Sequence, residues 1–251
     1  MCAQNENVRR PRLTKGLGWI VDALVVVGFY AAYTVVRNQL GSARVDYSVA
    51  LDNAERVIRA ERTLGVFREP AIQGWFLDHR TLLVALNAYY HVAHYIAPIA
   101  VLVFLRARHR DRFRGLQLVL FATMAIALVG FAVFPLAPPR LVAGHGFVDT
   151  IHERQEAWDT PVREPSGSFK GYASNQFAAM PSVHFAWPVW AACAAIPLVR
   201  RREIKALLLA HVLLTLVAVV ATANHWFLDA AAGAALVGVL MLLVWWVRRL
   251  G

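Results

Sequence analysis

The sequence predicts an all-α integral membrane protein, a bundle of six transmembrane helices with both termini in the cytoplasm. Three observations predict it. Hydrophobic residues make up 58% of the 251 positions, and the mean hydropathy is +0.47, too apolar for an ordinary soluble domain. Several apolar runs approach the ~20 residues a helix needs to cross a bilayer core. Finally, of the 26 basic residues, 15 sit in four short segments that hold only Glu6, Asp111 and Glu203 as acids. Six crossings put all four segments on one side and the charge-balanced segments on the other, and loops rich in Lys and Arg stay in the cytoplasm. The net charge of +10 therefore reports topology. No soluble face interleaves basic and aromatic residues as a nucleic-acid groove would, so no nucleic-acid partner is expected.

The elements follow in chain order. Residues 1–16 form a cytoplasmic tail carrying Arg9, Arg10, Arg12 and Lys15. The first helix, at about 17–37, lacks a small-residue cleavage site and is long enough to stay in the membrane, unlike a signal peptide. Cys2 has no apolar stretch before it, which argues against a lipoprotein signal, and it is badly placed to meet Cys193, so no disulfide framework is expected. Residues 38–81 are extracytoplasmic. Within them a stretch at about 45–67 places apolar Val49, Val57 and Leu64 among charged Arg56, Arg59, Glu61 and Arg62. It reads equally as an amphipathic helix on the membrane surface or as a helix packed over the bundle.

Helices at about 82–105 and 115–134 flank the basic connector 106–114. Residues 135–183, rich in Pro, Gly and polar residues, make an extracytoplasmic loop too long for a simple connection, hence an expected active-site loop. Helices at about 184–199, 206–223 and 226–247 complete a membrane domain spanning 17–247. The connector 200–205 lies between the first two, and 248–251 form a cytoplasmic C-terminus.

Three motifs meet the outer membrane boundary in this topology: Phe134-Pro-Leu-Ala-Pro-Pro-Arg140, Met180-Pro-Ser-Val-His184 and Ala223-Asn-His-Trp-Phe-Leu-Asp229. His225 and Asp229 are four residues apart and share a helix face. A carboxylate there can hold the Nδ1 proton of the imidazole, freeing Nε2 for nucleophilic attack. The alternative is a buried histidine satisfied by its neighbour, but ionisable residues inside membrane helices are costly and usually functional. Pro181-Ser182-Val183-His184 opens a helix whose free N–H groups favour an anion. Ser182 adds a hydroxyl, and His184 can act as general acid; the alternative is an ordinary cap. Arg140, after two prolines, can grip two phosphate oxygens at once, or merely touch lipid headgroups.

Together these residues supply nucleophile, acid and anion clamp, a set suited to phosphoryl transfer from a lipid-borne phosphate. On these motifs, over about residues 75–247, the chain resembles the type 2 phosphatidic acid phosphatase superfamily. Within it the sequence is most similar to the inositol phosphorylceramide synthase (inositolphosphotransferase) branch. The resemblance implies a six-helix bundle and a phosphohistidine intermediate. It assigns His225 as nucleophile, Asp229 as its orienting partner, His184 as general acid, and Arg140 and Ser182 as phosphate binders. Two positions depart from the phosphatase pattern: Val133 stands where a Lys is usual, and Ala218-Val219 where a Ser-Arg pair is usual. Lys170, Arg163, Tyr172 or Asn175 in the preceding loop are expected to compensate.

Asn87, Tyr90, His91 and His94 form one polar stripe on the second helix, read as a wall of a headgroup pocket or as interhelical hydrogen bonding. His91 and His94 have no third ligand in view, so no metal and no other cofactor is expected. Asp22 and His211 are expected to pack or pair, and Trp19, Trp75, Trp226, Trp245 and Trp246 to sit in interfacial belts. The expected partners are a membrane lipid bearing a phosphate or phosphodiester, and a lipid alcohol, small alcohol or water as acceptor, at the outer face of the cell membrane. Two other classes fit less well. An intramembrane serine protease using Ser182 lacks a Gly-x-Ser-x-Gly elbow, and a transporter would place polar groups at the membrane midplane.

Overall fold

The computed structural model describes residues 12–39, 46–150 and 175–250. Eight α-helices lie among them: α1 (Arg12–Gln39), α2 (Tyr47–Thr63), α3 (Glu69–Leu77), α4 (Arg80–Arg108), α5 (Arg110–Val133), α6 (Val183–Ala195), α7 (Arg202–Ala221) and α8 (Phe227–Leu250). A 3₁₀ turn at Pro139–Leu141 precedes α6. Apart from one isolated bridge between Leu136 and Ala178, the described residues contain no strand.

Five helices, α1, α4, α5, α7 and α8, are long and apolar enough to cross a membrane. The sixth expected span, read at 184–199, is the 13-residue α6. At 1.5 Å per residue it is about 20 Å long, short of a ~30 Å bilayer core. Its sequence explains why: Pro197 and the triple arginine at 200–202 stop the apolar helix early. α6 sits at the centre of the bundle, packed on α4, α5, α7 and α8. Ala186, Ala191, Ala194 and Ala195 let the neighbours approach, and Trp190, fully buried, donates its indole N–H to the Leu116 carbonyl at 3.0 Å.

At the basic end, Asp22 of α1 is buried against Arg106 of α4 and lies 2.5 Å from Arg114 of α5. The expected pairing of Asp22 is therefore met by the α4–α5 connector. Arg248 of α8 donates to the carbonyls of Asp111 and Arg112, so the basic 106–114 connector and the last turn of α8 meet at the end of that helix remote from His225. His211 meets the Tyr89 hydroxyl, also as a packing pair.

A second core covers the other end. Ala50, Ala54, Val57 and Ile58 of α2 pack with Leu136, Ala137, Val142, Phe177, Ala179 and Trp226. Of the two readings of the 45–67 stretch, α2 follows the second, a helix packed over the bundle. Its backbone joins the layer directly: Ala137 donates to the Ala50 carbonyl at 3.1 Å, and Asn53 donates to the Pro135 carbonyl at 2.9 Å. The buried stripe differs from the expected one. Val49 and Leu64 are exposed, whereas Glu61 is buried. The short helix α3 has no counterpart among the expected elements. Trp226 is likewise no belt residue: it is fully buried in this core and donates to the Ala137 carbonyl at 3.0 Å. Trp19, Trp75, Trp245 and Trp246 are exposed at the molecular surface.

Candidate active site

Two helix junctions and a 3₁₀ turn meet beneath α2. The first is the C-terminus of α7. There the Asn224 N–H returns to the Val219 carbonyl at 3.0 Å and the Ala223 N–H to that of Val220 at 2.9 Å, the paired bonds that close a helix when the residue past its end turns left-handed. That residue is Ala223, with φ +52°, where glycine is the usual occupant. The turn delivers His225 to the start of α8.

The second junction is the start of α6. The Ser182 hydroxyl accepts from the Phe185 N–H at 3.3 Å, and the Ser182 N–H donates to the Asp229 carbonyl at 2.9 Å. Gly233 allows this approach, since a Cβ there would strike the Ser182 carbonyl. The third is the 3₁₀ turn holding Arg140, whose N–H donates to the Ala223 carbonyl at 3.0 Å. The three expected motifs are thus bonded to one another through their backbones.

The side chains line up accordingly. Asp229 Oδ1 lies 3.1 Å from His225 Nδ1, at ion-pair distance though off the line of a good hydrogen bond. Asp229 Oδ2 accepts from the Trp226 N–H at 3.1 Å, which fixes the carboxylate. His225 Nε2 faces His184 Nδ1 at 3.3 Å, and the Tyr90 hydroxyl lies 3.4 Å from the same His184 nitrogen. Arg140 donates to Asn224 Oδ1 at 3.1 Å, and its Nε lies 3.8 Å from Asp149.

His184, His225, Arg140, Asn224, Tyr90 and His91 all border one cavity of about 280 Å³, near the lower end of the ~300–1,000 Å³ usual for small-molecule sites. Asn175 borders it as well. Ser182 does not; its hydroxyl serves as the helix cap, the alternative role open to it. Asn87 is also off the wall, its amide 3.4 Å from the Thr150 hydroxyl. His94 borders the cavity, and its Nδ1 bonds the Tyr90 carbonyl at 2.5 Å. Lys170, Arg163 and Tyr172 lie outside the described residues. Val133, 77% exposed on α5, faces away.

The structure adds residues that sequence reasoning missed. Glu61 and Glu69 are both fully buried at the start of α8. Glu61 Oε1 accepts from the Leu228 N–H at 2.8 Å, and Glu69 Oε1 from the Phe227 N–H at 3.1 Å. With Asp229 on Trp226, three acidic side chains accept from the first three free N–H groups of this helix, which would otherwise be unpaired. Glu61 Oε2 has no N–H partner. Burial, with the Glu69 carboxylate beside it, pushes the Glu61 carboxyl up to about 9, so at neutral pH it carries a proton to share with Glu69. Asp149, the partner of Arg140, was also missed. A carboxylate a few positions past a glycine-rich turn has no pattern that announces it.

A known family matches residues 55–243, and its description is PAP2 superfamily. That match covers most of the chain and includes all three motifs. The chain belongs to the PAP2 superfamily. Membership supports a phosphatase-type enzyme acting on phosphate-containing substrates. Comparison with curated proteins and with solved structures gave no match. Within the described residues, His, Cys, Asp and Glu form no group of three arranged to hold a metal ion.

Proposed function

We propose that this PAP2-superfamily chain is a membrane lipid phosphotransferase that works through a phosphohistidine on His225. The observation that carries the reading is the line Asp229–His225–His184, ending on a cavity that Arg140 also borders. Asp229 holds the Nδ1 side of His225, so Nε2 attacks the phosphorus of a bound phosphate ester. The bond from phosphorus to the leaving oxygen breaks, and that oxygen keeps the electron pair and takes a proton from His184. An acceptor hydroxyl then gives its proton back to His184, attacks the phosphorus, and breaks the phosphorus–nitrogen bond. Two displacements retain configuration at phosphorus.

His184 and His225 nitrogens at 3.3 Å are too close to leave a phosphoryl group between them. Substrate entry must part the rings, a small motion of the kind common between unliganded and reactive geometries. Arg140 neutralises the equatorial oxygens.

The acceptor distinguishes a transferase from a phosphatase. A phosphate fills only part of a cavity equal to about nine waters at ~30 Å³ each, and Asn175, Tyr90 and His91 give the rest of its wall a polar character. That favours a phospho-inositol-type headgroup passed to a lipid alcohol, the reaction class of the synthase branch. Water as acceptor, giving a lipid phosphate phosphatase, is the second reading; Arg140, Asn224 and the two histidines serve it equally.

The basic 106–114 connector and Arg248 meet at the end of α8 remote from His225. We therefore place the site at the extracytoplasmic face, with α6 and its flanking apolar residues as the sixth crossing and both termini in the cytoplasm. Lys170, Arg163 and Tyr172 remain proposed contributors from the 135–183 loop.

The test is turnover of a panel of lipid phosphates and phosphoinositides by purified protein and by His225→Ala, with product lipids analysed. Free phosphate from wild type alone supports the phosphatase. A new phospholipid that forms only when an alcohol is added supports the transferase. Equal activity in His225→Ala refutes both.

A further inference from the structure

The cavity beside His225 is bordered by a second guanidinium, that of Arg37. Arg37 lies in the last turn of α1, upstream of the residues that the family match covers. Its Nη2 donates to the Asn175 carbonyl at 3.3 Å, and the Asn175 amide donates back to the Arg37 carbonyl at 3.3 Å. The reciprocal pair fastens the end of α1 to the stretch of chain leading into α6, and so fixes where the guanidinium can reach. Arg37 lies within electrostatic range of both Tyr90 and His184.

Charge balance makes the arginine informative. Arg140 is partly neutralised by Asp149. Among the described residues Arg37 makes no ion pair, and its one side-chain bond there goes to a neutral carbonyl. A basic residue at a helix C-terminus is favoured by the dipole, and an interfacial arginine often reaches for headgroups. Neither role requires the side chain to border the same cavity as the paired histidines. Arg37 also borders a narrow slot of about 70 Å³ that shares His94, Tyr95 and His184 with that cavity and runs between α1, α4 and α6. It borders both spaces.

We infer that Arg37 is a second anion-binding residue of this site, supplied by α1, which with Arg140 holds the non-reacting oxygens of a phosphate ester. The inference rests on the proposed reading of the site. A phosphate ester presents at least two anionic oxygens, and one partly neutralised guanidinium satisfies them incompletely. A forked guanidinium from a different helix grips a further pair.

The experiment is a thermal-stability titration of the full chain in nanodiscs of zwitterionic lipid, at constant ionic strength. Inorganic phosphate is added in one arm and short-chain phosphatidic acid in the other. Wild type, Arg37→Gln, Arg37→Lys and His225→Ala are compared. Wild type is expected to be stabilised, with Arg37→Gln needing roughly 10- to 100-fold more ligand, the range for losing a charge-assisted hydrogen bond. Arg37→Lys, which keeps the charge and fold but loses the fork, falls between them. A response in both arms places the recognition on the phosphate itself; a response to phosphatidic acid alone places it on the lipid-borne ester.

Arg37→Gln or Arg37→Lys titrating like wild type overturns the inference and leaves the proposed reaction standing. Wild type unresponsive in both arms overturns it too. Turnover that survives in His225→Ala, with ligand binding still lost in Arg37→Gln, overturns the reaction and keeps the anion site.

Discussion

Glu61 offers the sharpest test of how the fold holds His225 in place. Its Oε1 accepts the Leu228 N–H at 2.8 Å in a fully buried setting. Glu61→Ala leaves that N–H unpaired, at a cost of about 1–3 kcal/mol. For a chain of this size, each kcal/mol lowers the melting temperature by about 2–4 °C, so the expected loss is roughly 2–12 °C. Glu61→Gln is different. Its amide oxygen still accepts from Leu228, and its NH₂ can donate to Glu69 as the protonated carboxyl does, so at pH 5 it should melt close to wild type.

The pH dependence follows from the sign of the shift. Burial and Glu69 raise the folded carboxyl from its ordinary value of 4.5 to about 9. The folded state therefore binds the proton more tightly than the unfolded state. The stability this confers is full below about pH 4.5 and is lost as pH rises toward 9. Wild type should thus lose stability across roughly pH 5–9, and Glu61→Gln should flatten that slope. Differential scanning fluorimetry in a fixed detergent over that range reads both. A Glu61→Ala protein that melts like wild type, or a Glu61→Gln protein with the wild-type slope, refutes the shared-proton account.

Other predictions follow from single positions. Ala223→Gly removes a left-handed strain of ~1–2 kcal/mol, offset by the ~0.4–1 kcal/mol that glycine's looser unfolded chain costs, so melting should rise by a few degrees with activity kept. Gly233→Ala puts a methyl group against the Ser182 carbonyl and parts α8 from α6. Melting should show a loss of about 1–3 kcal/mol, and any turnover should fall with it. Asp22→Ala strips buried Arg106 of its partner and should destabilise by about 3–5 kcal/mol, read as lost yield of folded protein and a lower melting temperature. Asp229→Asn keeps the Trp226 N–H bond but removes the charge beside His225, and should cut turnover at least tenfold with little change in melting.

Much of the site was legible because its residues lie in short motifs at helix starts. His225 and Asp229 are four apart, His184 follows a Pro-Ser cap, and Arg140 follows two prolines; the topology alone sets these ends at one depth on one side. The family match, over residues 55–243, spans the same three segments. What stayed hidden depends on tertiary burial. Glu61 sits among arginines and reads as a solvated face, yet α2 folds down and turns it onto the start of α8. Glu69 begins the nine-residue α3, too short to show a period. Trp226 looks like a belt residue because the motif ends near the membrane boundary, but α2 covers it. Arg37 resembles any cation closing a first membrane helix, and only the cavity connects it to the histidines. Ser182 admits two roles in the sequence, and the orientation of its hydroxyl toward Phe185 is a matter of rotamer, which sequence does not carry.

The central claim is that His225 carries the phosphoryl group. The direct measurement is rapid acid-free quenching of the protein with a ³²P-labelled lipid phosphate, followed by mapping of any alkali-stable, acid-labile label. The account predicts label on His225, none in His225→Ala, and slower appearance and slower release of the label in His184→Ala, where protonation and deprotonation of the exchanging oxygens are slowed. Turnover with inversion at phosphorus and no label on His225 would contradict it.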